Sequence, residues 1–228
     1  HYDAMWAHAF PALASGAVEC DIVLAAGTDR RRGLTLIARP APALRAAFAI
    51  LLDRVAGAEP DQYRYPVPDM HVTILPLFTA VEDAAAQLAR LEDYRAVVQT
   101  ALAGIAPFEI DFGGIALSPA AVMARGVPRG PGLETLRERL RMGLREQGLA
   151  ASVDERYRLV TAHATLLRLT KPLRQPARFS ALLAALRDQR LGSMRVDEVE
   201  LVINDWYMSS ATLQHVDTRR LQASGAAP

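Results

Sequence analysis

Apolar residues along the chain recur with two spacings, every second position over short stretches and every third or fourth over longer ones. These are the signatures of half-buried strands and amphipathic helices. Gly33 to Ala38 reads as a strand. Pro40 and Pro42 punctuate it and open a helix with Leu44, Phe48, Leu51 and Val55 at helical spacing, ended by Gly57 and Pro60. In His71-Val72-Thr73-Ile74-Leu75 the histidine and threonine alternate with apolar residues, so a strand places both polar side chains on one face. Val81, Ala85, Leu88, Leu91, Val98 and Leu102 predict a second helix closing near Gly104. Phe108, Ile110 and Phe112 alternate with Glu109 and Asp111 in a strand, Gly113-Gly114 permits a bulge, and Ser118-Pro119 turns into a returning strand over 121–124. Pro131 opens a third helix with Leu133, Leu136, Leu140 and Leu144 inward and Gly148 at its end. His163-Ala164-Thr165-Leu166-Leu167 repeats the first histidine strand. A fourth helix is expected from Pro176 to Arg190, then strands around Val199–Ile203 and from Thr212 to about Arg219.

Ahead of this series, Met5, Trp6, Phe10 and Leu13 form one face of a short helix, and 27–32 is a polar loop ending in Arg30, Arg31 and Arg32. That trio reads either as a phosphate contact or as a solvated turn. Tyr63 to Pro68 is a loop rich in aromatics and prolines. The second half therefore repeats the plan of the first: histidine strand, helix, strand pair. The arrangement is α+β with mostly antiparallel pairing, built twice.

Composition narrows the function. A chain of 228 residues with an apolar share of 51% can bury a real core. A formal net charge of +1 is too small for a protein that rides on long duplex nucleic acid, but suits a small anion or an RNA end. Cys20 is the one cysteine, which removes an internal disulfide and any cysteine-based zinc site. His1-Tyr2-Asp3 lacks the basic start of a signal peptide, and no apolar run is long enough to span a bilayer, so a cytoplasmic address with no membrane partner is expected.

The paired signature carries the chemistry. A histidine followed two residues on by serine or threonine arises by chance about one time in ten. Here two of five histidines have it, in strand-like settings, each before a helix at matching places in the two halves. A phosphodiester exchange needs a base for the attacking oxygen and an acid for the leaving one, and imidazole suits both near neutral pH. His71 and His163 are the candidate acid–base pair, their roles exchanging with reaction direction. Thr73 and Thr165 can donate hydrogen bonds to the non-bridging oxygens, where charge accumulates. No metal or other cofactor is expected, because neither motif adjoins a third ligand. An ATP-dependent ligase would need a nucleophilic lysine, and Lys171, the sole lysine, is followed by proline. Tyr63, Tyr65, Trp206 and Tyr207 read either as stacking platforms for a base or as core aromatics.

With both motifs on the page, the sequence resembles the 2H phosphoesterase superfamily, which includes 2′-5′ RNA ligase-like proteins and cyclic nucleotide phosphodiesterases. Phe108-x-Ile110 with Gly114-Ile115, Gly126-Val127-Pro128, the leucine-rich helix and the ending from Val196 to Leu201 add to it. The resemblance covers about Gly33 to Leu221. It implies a domain over 33–228 with two pseudo-symmetric lobes of antiparallel sheet and outer helices around a central cleft, preceded by an arm of residues 1–32. It also implies a monomer opening 2′,3′-cyclic or 2′-5′ phosphates of RNA ends or small nucleotides. A non-catalytic nucleotide-binding module and an enzyme on a sugar cyclic phosphate are the alternatives. Arg168 completes His-Ala-Thr-Leu-Leu-Arg, an extended second motif. Strict alternation points Arg168 away from the His163 face, so phosphate contact requires the strand to bend, and an ion pair behind the sheet is the other reading. Pro76 is expected to end the first histidine strand early or to mark an edge.

Overall fold

The structure, a computed structural model, describes residues 1–154 and 158–223. In chain order it contains α1 (Tyr2–Ser15), α2 (Ile22–Ala26), β1 (Arg32–Ala38), α3 (Pro42–Ala58), the two-residue strand β2 (Tyr63–Arg64) and β3 (Val72–Val81). Then come α4 (Ala85–Leu88), α5 (Leu91–Leu102), β4 (Phe108–Ser118), β5 (Ala121–Arg129), α6 (Gly132–Glu146) and β6 (Ala164–Arg168). The chain continues through α7 (Pro176–Leu186), β7 (Arg190–Val196), β8 (Glu198–Asn204) and β9 (Gln214–Arg220).

The strands form two antiparallel sheets, ordered β3-β1-β8-β9 and β2-β6-β5-β4-β7. In each, the histidine strand pairs with the strand one helix before it: β3 with β1 across α3, and β6 with β5 across α6. This α+β architecture has one main core, to which both sheets and the helices contribute, and a small second cluster of Ile37, Val202 and Met208. The helices tie the lobes together. α6 packs on β3 of the other sheet as well as on β5, and α3 packs on β6 and β7. α1 buries Trp6, Ala9 and Leu13 against β4 and α7. Among the described residues no helix is long and apolar enough to cross a membrane.

Several expectations need correction. The second helix is two helices, and Val81 belongs to β3, where it pairs with Arg32. Arg90 breaks the run: its carbonyl accepts from Asp93 and Tyr94 and its guanidinium holds Asp93, which starts a new helix. The fourth helix stops at Leu186, and the stretch assigned to its end begins β7. That strand buries only Met194 and Val196, so its polar edge-strand sequence carries no clean alternation. β5 runs past Ala124 to Arg129, and the short elements α2 and β2 add to the expected ones. Pro76 does not end β3, which continues to Val81, but β3 is an edge strand, where a missing N–H is tolerated. Gly113-Gly114 does carry a register irregularity. Gly114 has φ 76°, and a Cβ there would overlap the Arg187 carbonyl.

Candidate active site

The two histidine strands meet across one cleft. His71, Thr73, His163, Thr165 and Arg168 line it together, with Tyr65, Trp206 and Tyr207 on its wall and Thr35, Pro76 and Asn204 on the side of the first sheet. The cleft is open to solvent, and the space in and before it amounts to about 1000 Å³.

Bulges set which side chains reach this space. Along β3, Thr73 and Leu75 face Ile37 and Leu36 in succession, so Ile74 is an extra residue; Leu77 is another, between Pro76 and Phe78. Along β6, Thr165 and Leu167 face Met123 and Val122, so Leu166 is extra. One extra residue reverses the alternation beyond it. His71, Thr73 and Pro76 thus share the cleft face in one strand, and His163, Thr165 and Arg168 share it in the other. This is the bend that brings Arg168 forward.

His71 is held by its Nδ1, 2.7 Å from the Asp69 carbonyl oxygen. A carbonyl only accepts, so Nδ1 carries the proton and Nε2 is the acceptor in the neutral ring. His163 is held differently, its Nδ1 lying 2.8 Å from the Thr161 hydroxyl, which can donate or accept. Each ring keeps a strip of surface on the cleft and is otherwise enclosed. Desolvation pushes both pKa values from 6.5 down to about 4. Arg39 adds to the effect at His71; at His163 the added causes are His71, Arg137 and Arg168.

Arg168 donates from Nε to the Tyr65 hydroxyl at 3.0 Å, and its Nη1 lies 3.6 Å from the Asp21 carboxylate. Burial alone would lower its pKa, but Tyr65, Asp21 and Tyr207 hold it above the ordinary value. Arg168 therefore faces the cleft, contrary to strict alternation, and from there it pairs with Asp21. Tyr65 is only 3% exposed, so its part is to anchor Arg168 rather than to offer an open face. Tyr63 packs edge-on against Tyr65 outside the cleft lining. Of the arginine trio, Arg31 is tied to Asp29 and sits over the Trp206 ring at 4.4 Å.

Four residues that the motifs did not indicate support the site. Arg137, 1% exposed, donates to the carbonyls of Ile74 (2.7 Å), Thr73 (2.9 Å) and Thr161 (2.8 Å), joining both histidine segments from behind. Thr161 orients His163. Tyr2 and Asp21, from the first 32 residues, touch the two ends of the second motif.

The profile of the 2′-5′ RNA ligase superfamily matches residues 39–206 of the chain. The chain belongs to this superfamily, the 2H phosphoesterases. No curated protein matches it in sequence. Among solved structures, the superfamily member is similar to TT0787 of Thermus thermophilus, with 18% identity over 85% of this chain and 99% of that one and a TM-score of 0.63. It is also similar to a phosphoesterase, at 18% identity over 84% and 98% of the chains and a TM-score of 0.54. E. coli LigT, solved in complex with ATP, matches at 14% identity over 84% and 98%, with a TM-score of 0.53. At these identities the likeness establishes the 2H fold.

Proposed function

We propose that the protein is a phosphodiesterase that opens 2′,3′-cyclic or related 2′-5′ phosphates of small nucleotides or RNA ends by two-histidine acid–base catalysis. The observation that carries this reading is the convergence of two His-x-Thr pairs and Arg168 on one solvent-open cleft. A phosphate between the imidazoles meets the Nε2 edge of His71, a hydrogen-bond acceptor when neutral. One imidazole takes the proton of the attacking water as its oxygen bonds to phosphorus. The other, protonated, gives its proton to the ring oxygen as the cyclic P–O bond breaks, leaving a phosphomonoester. Thr73 and Thr165 donate to the non-bridging oxygens, and Arg168 offsets the charge that builds there. With both free rings titrating near pH 4, the proton of the acid is held best once the anionic phosphate is bound.

The nucleotide part of the reading draws support from E. coli LigT, which has been solved with 3′-AMP as well as with ATP. The near-neutral charge fits a single nucleotide or a strand end rather than a long duplex. The test is His71→Ala and His163→Ala in turn, assayed on a 2′,3′-cyclic nucleotide. Each is expected to lose at least about 100-fold in kcat, the usual size of an acid–base contribution. Wild-type rates in both variants would reject the assignment. A panel of cyclic nucleotides, 2′-5′ and 3′-5′ oligonucleotides and sugar cyclic phosphates then separates the substrate classes.

A further inference from the structure

The first 32 residues lie ahead of the segment that the superfamily profile matches, yet two of them, Tyr2 and Asp21, make polar contacts at the two ends of the second histidine motif. At its start, the β5–β6 ladder ends with Ala124 opposite Ala164. The N–H of Ala162, just before His163, is left without a strand partner. The Tyr2 hydroxyl takes that place: it accepts from Ala162 N–H at 3.1 Å and donates to the Gly126 carbonyl at 2.9 Å. Burial raises the phenol pKa, which keeps the proton that the second bond needs.

At the motif's other end, Asp21 N–H donates to the carbonyl of Leu169 at 2.7 Å, one residue beyond Arg168. One carboxylate oxygen of Asp21 accepts from the Tyr207 hydroxyl at 2.7 Å and from Leu24 N–H at 3.0 Å. The other faces Arg168 Nη1 at 3.6 Å. Tyr207, so anchored, places its ring 5.4 Å from the Arg168 guanidinium carbon. Docking of the segment itself is accounted for by Trp6, Ala9 and Leu13 on α1. Tyr2 and Asp21 are therefore surplus to the apolar attachment, and both act within one residue of His163 or Arg168.

We infer that residues 1–32 are a strap that sets the second motif from both ends, Tyr2 fixing the approach of His163 and Asp21 aiming Arg168 at the phosphate. The inference rests on the preceding reading for the identity of the anion and for the proton that His163 moves, while the Asp21 contact is read from phosphate affinity without turnover. The two positioning residues act on different quantities, because Arg168 holds the phosphate while His163 moves a proton.

Asp21→Asn is the informative change, since asparagine keeps the acceptor for Tyr207 and Leu24 and turns an amide N–H toward Arg168. It is expected to raise KM for a 2′,3′-cyclic nucleotide and Kd for inorganic phosphate by about fivefold, the loss of a modest charge-assisted contact, with kcat within about twofold. In an Arg168→Met background the same change adds nothing, because the group it acts through is gone. Tyr2→Phe is expected to lower kcat by about tenfold with KM nearly unchanged, a displacement of His163 well below 1 Å. Melting temperatures check that both variants are folded. Unchanged or tighter phosphate binding by Asp21→Asn overturns the strap, as does a loss that persists without Arg168. A wild-type chain that binds no inorganic phosphate overturns it too. A chain that binds phosphate but opens no cyclic phosphate defeats the reading of the previous section, and phosphate affinities alone then decide the strap.

Discussion

Replacing Arg137 by methionine separates a residue that stabilises the fold from one that sets the distance between the two motifs. The guanidinium gives three hydrogen bonds to the carbonyls of Thr73, Ile74 and Thr161, one of them at the bulge of β3. Methionine reaches a similar depth and donates nothing. Three buried oxygens then lose their partner, at about 1–3 kcal/mol each and less than additively, or about 5 kcal/mol together. Against that stands the desolvation of the charge itself. Burial, with Arg141 nearby, lowers the Arg137 pKa from 12.5 to about 10, which corresponds to about 3 kcal/mol working against the folded protein. The difference is a net destabilisation of about 2 kcal/mol, or roughly 4–8 °C in Tm for a chain of this size.

The effect on chemistry is expected to be much larger than the effect on folding. Without the bridge, Thr73 and His71 at the start of β3 and Thr161 and His163 ahead of β6 lose a shared anchor, and a drift of about 1 Å costs about 100-fold in rate. The pH profile carries a second mark. A cation disfavours a protonated imidazole, so removing Arg137 raises the pKa of His163, although burial, His71 and Arg168 still hold it below 6.5. Whichever limb of the kcat/KM profile on a 2′,3′-cyclic nucleotide His163 sets therefore moves to higher pH. The assay is that profile beside a thermal melt. Wild-type kcat/KM with an unmoved limb, or a loss no greater than the unfolded fraction at the assay temperature, would refute the reasoning.

Two further outcomes follow from the same geometry. Both histidines titrate near 4 in the folded protein and at 6.5 when unfolded, so the stability they contribute is whole above pH 6.5 and is lost as the pH falls toward 4. The loss is at most about 3 kcal/mol per ring, set by burial together with Arg39 and Asp69 around His71 and with Arg137 and Arg168 around His163. Urea melts between pH 7 and 4.5 should be less pH-dependent in the His71→Gln, His163→Gln double variant than in wild type; equal slopes would count against buried neutral rings. Gly126→Ala pushes a Cβ into the Ala162 carbonyl and the Phe112 ring, an overpacking of about 1–3 kcal/mol. It should lower both Tm and kcat, and a variant with wild-type kcat would show that the backbone before His163 has room to move.

Much of the site was legible in the sequence, in part through signals that simple alternation overlooks. The doublets Ile74-Leu75 and Leu77-Phe78, and their counterpart Leu166-Leu167, interrupt a strict period of two, and each marks an extra residue in the structure. Read as bulges, they put Arg168 on the His163 face without coordinates. The leucine stripe of α6 also held a signal: positions 137 and 141 fall on the inward face with Leu133, Leu136, Leu140 and Leu144, and arginine occupies both. An arginine within a buried stripe demands carbonyl or carboxylate partners, and both have them. Tyr2 and Asp21 gave no such signal, because their partners lie far along the chain and depend on how α1 docks. The strand β7 was illegible for a local reason, since an edge strand with two buried side chains imposes little pattern.

The near-symmetry of the two histidine strands makes one difference between them informative. Counting from each histidine, the threonine stands two places on and the next cleft-facing residue five places on, and matched bulges keep that register in both strands. The fifth place is Pro76 in one strand and Arg168 in the other. The imidazoles and hydroxyls are thus duplicated, while the cation is not. Among the described residues that line the cleft, the arginine is Arg168 on the second lobe, fixed by Tyr65, Tyr207 and Asp21. The first lobe presents Pro76, Thr35 and Asn204 instead, surfaces without charge. A symmetric site would accept a phosphodiester equally well in either orientation. On the proposed reading this one would distinguish the two, because turning the substrate end for end exchanges which of its substituents lies against the guanidinium. On the proposed mechanism the duplicated histidines would supply the proton transfers, and the unduplicated arginine would supply the direction.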